Sequence, residues 1–204
     1  MIGIIDYGMG NLFSVKNSLN FLGEDSILCY NSDDLNKVDK IILPGVGAFP
    51  DCIRNLKKRE LIDSLNYNVM QKKTPILGIC LGMQAMATIS YELEKTDGLG
   101  WIDAEVIPLE SDNNDDKIPN IGWENIEFSE KTQLMSGFAL NPDFYFVHSY
   151  FMQCNDTTDI DSWYYYGKQK VTASIQKQHI FGTQFHPEKS SEFGLQVLIN
   201  FIDY

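Results

Sequence analysis

Through the first half of the chain, short apolar runs alternate with longer stretches whose apolar residues recur at helical spacing. Ile2–Ile5 is a continuous apolar run that stops at Asp6. A glycine-rich segment follows, after which Leu12, Val15, Leu19 and Leu22 share one helical face closed by Gly23. Residues 26–30 and 40–43 read as a second and a third strand, the third halted by "PGVGAF" at 44–49. Ile53, Leu56, Leu61, Leu65 and Val69 predict one long helix from about 51 to 72. Residues 76–79 read as a fourth strand and 82–91 as a further helix. Continuous apolar strands separated by amphipathic helices predict a parallel sheet covered on both faces.

The second half changes rhythm. Residues 105–108, 123–128, 144–151, 171–176 and 180–184 read as strands at shorter spacing, antiparallel in part. Residues 191–204 close the chain as a helix, with Ser191 as N-cap and Leu195, Leu198, Ile199 and Ile202 apolar. The acidic run 110–117 reads as an exposed loop. No repeat or linker divides the sequence, so a single domain over 1–204 is expected. The architecture is α/β with a mixed sheet, in which ligands bind beyond the carboxyl ends of the strands. The loops at 6–11, 44–49 and 78–84 all fall there.

Composition narrows the classes. The chain has 204 residues, long enough to bury a substantial core, with ordinary hydrophobic and charged fractions of 44% and 22%. Its net charge of −12 disfavours nucleic acid or an anionic membrane as the main partner. Cys29, Cys52, Cys80 and Cys154 form no Cys-x-x-Cys pair and no zinc-like cluster, so free thiols and no metal are expected. The N-terminus has no basic flank of the kind a signal peptide carries, and no apolar run approaches the roughly 20 residues of a bilayer span. A cytoplasmic protein is the expectation.

The candidate chemistry centres on "PILGICLGMQ" at 75–84. Gly78-Ile79-Cys80-Leu81-Gly82, after a strand and before a helix, is a thiol version of the nucleophile elbow. Small neighbours let strand and helix approach, the Leu81 N–H faces a developing oxyanion, and the helix start favours thiolate. The competing reading is a small buried hydrophobe, as most free cysteines are. A thiol nucleophile needs a base. His186 lies in "QFHPEKS" with Glu188 two residues on, where a carboxylate can fix the imidazole tautomer. Alone, His-Pro-Glu reads as a surface turn; Cys80, His186 and Glu188 together read as a triad. His148, alternating with Phe146 and Tyr150, reads as a structural histidine in an aromatic wall, and His179 as a solvated turn residue. Gly45, Val46 and Gly47 offer backbone amides as a second oxyanion donor, or only a glycine turn. Neither glycine segment carries a complete phosphate-loop or dinucleotide fingerprint.

These motifs, with "IDYGMGNL" (5–12), "LPGVGAF" (43–49), "GLGW" (98–101), "IPNIGWE" (118–124) and "FYFVHSY" (144–150), run nearly end to end. Together they resemble the class I glutamine amidotransferases, and within them the glutaminase subunits of imidazole glycerol phosphate synthases. The resemblance implies a three-layer, flavodoxin-like fold around a mixed, mainly parallel sheet, and no cofactor. It implies that Cys80 attacks the side-chain amide of L-glutamine, with His186 as base and Glu188 as its orienter. Gly45, Val46, Gly47, Leu81, Gln84, Ser149 and Tyr150 would line the glutamine pocket. Ammonia would pass to a (β/α)8-barrel cyclase partner in a heterodimer serving histidine biosynthesis. Asn11, Trp123, Tyr145 and Lys189 would lie near the partner face, and the subunit alone would be nearly silent. Where the family reads Pro-His-Met-Gly-Trp-Asn, this chain reads Pro119-Asn120-Ile121-Gly122-Trp123-Glu124. That departure leaves open a paralogue feeding a surface-sugar amidation. A stand-alone cysteine hydrolase and a non-catalytic scaffold are the remaining readings.

Overall fold

The computed structural model describes residues 1–110, 117–129, 132–138 and 142–204. Residues 111–116 of the acidic run lie outside the described residues. In chain order the first half comprises β1 (Ile2–Ile5), α1 (Leu12–Phe21), β2 (Ser26–Cys29), α2 (Ser32–Leu35), β3 (Lys40–Gly45) and α3 (Phe49–Lys58). Then come α4 (Leu61–Asn66), a π-helical segment (Tyr67–Gln71), β4 (Ile76–Cys80) and α5 (Leu81–Gln84). The second half holds β5 (Ile89–Ser90), β6 (Thr96–Asp97), β7 (Ala104–Pro108), β8 (Asn120–Asn125), β9 (Glu127–Phe128) and β10 (Asp143–His148). It closes with β11 (Tyr150–Cys154), β12 (Ile160–Tyr166), β13 (Gln169–Lys177), β14 (Ile180–Thr183) and α6 (Ser191–Ile202).

The central sheet has the order β2-β1-β3-β4-β14-β13-β12-β9. Its first five strands pair in parallel and the rest antiparallel. Both faces are covered, which is why its strands are continuously apolar. Ile41 and Leu43 point into one core with α3 and α4, where Phe49, Ile53, Leu61 and Leu65 are buried. Ile42, Leu77 and Ile79 point into the other, with Val15 of α1, Val197 of α6 and an aromatic group that includes Phe144, Phe146 and Phe185. The period of two along each strand thus feeds two cores at once. Two smaller sheets, β10-β8 and β11-β7-β5-β6, complete the molecule. Because β1, β3, β4 and β14 run parallel, all four end at one edge, where the glycine-rich loops and Cys80 lie.

Several elements differ from the sequence reading. The long helix over 51–72 is broken at Glu60, whose left-handed backbone (φ 56°) turns the chain after a charged run without apolar anchors. Leu61, Leu65 and Val69 remain fully buried beyond the break. The helix predicted over 82–91 is a single turn. Its continuation is captured: Leu99 N–H bonds Ala85 O, Trp101 and Ile102 bond Met86 O, and Gly100 bonds Ala87 O. This accounts for the glycine in "GLGW", since a Cβ on Gly98 would lie 2.1 Å from the Ala87 carbonyl oxygen.

The strand read over 144–151 is two strands in different sheets, switching at Ser149, and that over 123–128 is β8 followed by the separate β9. β12 has no counterpart in the sequence reading. The cap position of α6 is Ser190 rather than Ser191, and its hydroxyl donates to His186 O instead of capping the helix.

Candidate active site

Cys80 is the last residue of β4 and has φ 54° and ψ −111°, a conformation L-residues rarely adopt. Such backbone costs on the order of 1–3 kcal/mol and persists where its surroundings over-determine it. Here they do. A Cβ on Gly82 would fall 1.8 Å from Leu43 O, and one on Gly78 would fall 2.7 Å from the Met83 backbone. The two glycines therefore let α5 start directly against β3 and β4, which raises Cys80 at the sheet edge. The Leu81 N–H begins α5, where the first amides have no intrahelical partner.

His186 follows β14 at the same edge. Its N–H bonds Tyr145 O at 3.0 Å, and Ser190 Oγ binds both His186 O (2.7 Å) and Tyr145 N (3.0 Å). That clamp holds the turn Pro187–Lys189, which presents Glu188. His186 Nδ1 lies 2.8 Å from Glu188 Oε1, and both side chains are almost fully buried. With Nδ1–H donated to the carboxylate, the other ring nitrogen is left for the cavity that His186 shares with Cys80; the thiol itself donates to Val147 O at 3.8 Å. Burial alone would lower the His186 pKa, but the hydrogen bonds and charges of Cys80 and Glu188 outweigh it and raise it. Sequence reasoning thus brings together Cys80, His186 and Glu188 as the structure does.

A cavity of about 160 Å³ opens beside Cys80. Val46, Gly47, Leu81, Gln84, Ser149 and Tyr150 all line it. Gly45, also expected there, is not among the lining residues; it ends β3 in register with Cys80. Lys189, expected near the partner face, lines the same cavity, with Nζ 5.9 Å from the Tyr145 ring centroid. Trp123 packs on Tyr145 at 5.9 Å, so these three residues form one group. Asn11 caps α1, its Oδ1 accepting from Ser14 N at 3.3 Å.

The other histidines divide. His179 is buried, not solvated: its Nε2–H donates to Val69 O at 2.7 Å, satisfying a carbonyl of the π-helical segment. A polar "QKQH" turn gives no hint of that distant acceptor. His148 sits in the aromatic wall as expected, 5.7 Å from Phe146, but it also lines the cavity. Burial first, and then the nearby His186 charge, hold its pKa down at about 4 despite a hydrogen bond to Tyr150 O. Gln184 has no counterpart among the sequence candidates. Fully buried, it donates Nε2–H to Cys80 Sγ at 3.6 Å and accepts from Gln84 Nε2 at 2.9 Å. Asn120 and Glu124, the departures from the family pattern, share the inner face of β8. Glu124 is raised by burial, partly offset by a hydrogen bond from Asn120. Among the described residues no group of side chains could hold a metal, and no helix is long and apolar enough to cross a membrane.

Residues 3–203 match the family model described as glutamine amidotransferase class-I. A Campylobacter jejuni (strain RM1221) protein named imidazole glycerol phosphate synthase subunit HisH 1 is 46% identical over 202 residues, covering 99% of each chain. The HisH 2 subunit of Methanococcus maripaludis is 45% identical over 99% of this chain and 98% of its own. The HisH 2 subunit of Pseudomonas aeruginosa is 41% identical over 100% and 99%. Among solved structures, a glutamine amidotransferase superposes with a TM-score of 0.77 at 16% identity, covering 99% and 97% of the two chains. PurLQS from Thermotoga maritima superposes at 0.74 and 17%, covering 100% and 97%.

Proposed function

The chain belongs to the class-I glutamine amidotransferases, and from that membership we propose that it is the glutaminase subunit of an imidazole glycerol phosphate synthase. The observation that carries the reading is one edge of one sheet. There a cysteine in strained backbone and a histidine line one small cavity, and a buried glutamate is hydrogen-bonded to the histidine.

The chemistry follows from the positions. His186 takes the Cys80 proton, and Sγ attacks the side-chain amide carbon of glutamine. The oxyanion meets the Leu81 N–H and an amide of the 45–47 loop. His186 returns the proton to the departing nitrogen, the C–N bond breaks, and ammonia leaves a γ-glutamyl thioester on Cys80. Water, deprotonated by His186, then hydrolyses the thioester to glutamate and restores the thiol. Glu188 keeps Nδ1–H directed away from the thiol and stabilises the imidazolium. Ammonia passes to a barrel cyclase docked over Trp123, Tyr145 and Lys189, a reading that the exposure of Trp123 and of Ile121 on the same face of β8 supports.

Asn120 and Glu124, together beside Trp123, favour a second destination for the same ammonia, amidation of a surface sugar. Co-purification with each candidate cyclase decides between them. For the glutaminase itself, glutamine hydrolysis is measured with the cyclase bound: Cys80→Ala abolishes it while leaving the complex intact. Residual hydrolysis by a clean Cys80→Ala preparation contradicts the assignment.

A further inference from the structure

A chain of buried hydrogen bonds runs from β8 to the rim of the cavity, and the triad does not use it. Asn120 Nδ2 donates to the Tyr164 hydroxyl at 3.0 Å. Tyr164 Oη lies 2.8 Å from His148 Nε2, and His148 Nδ1 lies 2.9 Å from Tyr150 O. The carbonyl can only accept, so Nδ1 carries the hydrogen and Nε2 accepts from Tyr164. Every donor then points the same way, from Asn120 through Tyr164 and His148 to Tyr150. All three side chains are buried, at 5%, 2% and 6% exposure. A low His148 pKa agrees with a neutral ring.

The end of the chain matters. β11 is the edge strand of its sheet, and Tyr150 stands opposite Pro108 of β7. Leu109 N–H bonds Ser149 O, so the polar groups of Tyr150 face away from β7, toward the cavity. With no neighbouring strand among the described residues to fix it, the Tyr150 carbonyl is held by His148 Nδ1 and by Gln84 Nε2 at 2.8 Å. Gln84 spends its second N–H on Gln184, the residue that donates to Cys80. Two side chains thus replace the missing strand at a peptide that lines the cavity.

We propose that Asn120, Tyr164 and His148 act as a positioning relay that fixes the Tyr150 peptide of the glutamine pocket from strand β8. None of the three is a catalytic residue; they act through the backbone that the substrate meets. β8 carries Asn120 on its inner face and the exposed Ile121 and Trp123 on its outer face. The relay therefore ties the pocket to a strand that also forms part of the surface. It rests on the glutaminase reading above and adds to it which side chains set glutamine affinity.

The test separates binding from chemistry. The whole chain, with the cyclase bound, is labelled with 6-diazo-5-oxo-L-norleucine, an electrophilic glutamine analogue, and the half-saturating concentration and maximal rate are read by mass spectrometry. Tyr164→Phe, which deletes one hydroxyl and keeps the ring, raises the half-saturating concentration by roughly three- to tenfold, the range for one lost hydrogen bond. The maximal rate stays within about twofold, because the triad is untouched. His148→Leu has a larger effect, and His148→Asn, which keeps an N–H near Nδ1 but loses Nε2, recovers it only to the level of Tyr164→Phe. The Tyr164→Phe and His148→Asn effects are non-additive in the double variant, as for one network. Unchanged half-saturation in folded variants, or no advantage of Asn over Leu at position 148, overturns the relay. If the wild-type chain is not labelled at all, the glutaminase reading fails and the relay with it; normal wild-type labelling confines the failure to the relay.

Discussion

Gln184 donates its side-chain amide to Cys80 Sγ at 3.6 Å, from a position two residues before His186. The strand end that delivers His186 therefore also delivers a donor to the nucleophile. A hydrogen bond to a charged group stabilises by about 1.5–3 kcal/mol. Gln184→Met keeps the volume and loses the donor. We expect it to slow alkylation of Cys80 by iodoacetamide at pH 7 by about tenfold, measured by peptide mass spectrometry. An unchanged rate would show that this contact does not support the thiolate.

Two glycines are required for reasons of space, Gly82 in the elbow and Gly98 against the carbonyls that follow the elbow. Gly82→Ala would drive a methyl group into the Leu43 carbonyl, and Gly98→Ala one into the Ala87 carbonyl. Both acceptors are backbone and cannot swing aside, so each variant should lose more than about 3 kcal/mol or fail to fold. Gly122→Ala meets nothing within 4 Å and serves as the control. Urea unfolding of the three variants checks the ranking; a Gly82→Ala chain as stable as Gly122→Ala would refute the packing argument.

Glu188→Gln should leave glutamine binding near normal and lower turnover by at least about 100-fold, because the amide no longer enforces the imidazole tautomer or steadies its charge. Steady-state kinetics with the partner bound give the split between KM and kcat. A kcat within a few-fold of wild type would remove Glu188 from the mechanism.

His148 makes folding sensitive to acid. Its folded pKa of about 4 lies below the ordinary 6.5, so the unfolded chain binds a proton that the native chain refuses. The stability linked to this group is complete above pH 6.5 and drains as pH falls from there toward 4. At 1.36 kcal/mol per unit, the full loss is on the order of 3 kcal/mol. His186 has the opposite sign: its raised pKa contributes stability below 6.5 that is lost as pH rises through the folded value. Urea midpoints at pH 7.5, 6 and 5 should fall steeply for the wild type and less for His148→Gln. Parallel slopes would contradict a neutral, buried His148.

The placement of Cys80, His186 and Glu188 at one sheet edge was legible in the sequence because its determinants are local. Gly78, Cys80 and Gly82 encode the elbow within five residues, and His186 and Glu188 are two residues apart. The parallel half of the sheet was legible for the same reason, in runs such as Ile2–Ile5. What escaped was set by contacts distant in sequence. Nothing near Gln184 marks it as a neighbour of Cys80, and the Asn120–Tyr164–His148 chain joins three strands. The helix expected over 82–91 has the right periodicity, but the amides of 99–102 take its carbonyls. β12 escaped because register shifts near Ser162 blur its alternation.

The central claim is that Cys80 carries the γ-glutamyl group. With glutamine and the bound cyclase, rapid acid quenching followed by peptide mass spectrometry should find one γ-glutamyl thioester, on the Cys80 peptide. It should be absent from Cys80→Ala. Cys29, Cys52 and Cys154, all buried in the fold, should remain unmodified. Glutamate formation with no adduct at Cys80 under any quench time, or an adduct on another thiol, would contradict the account.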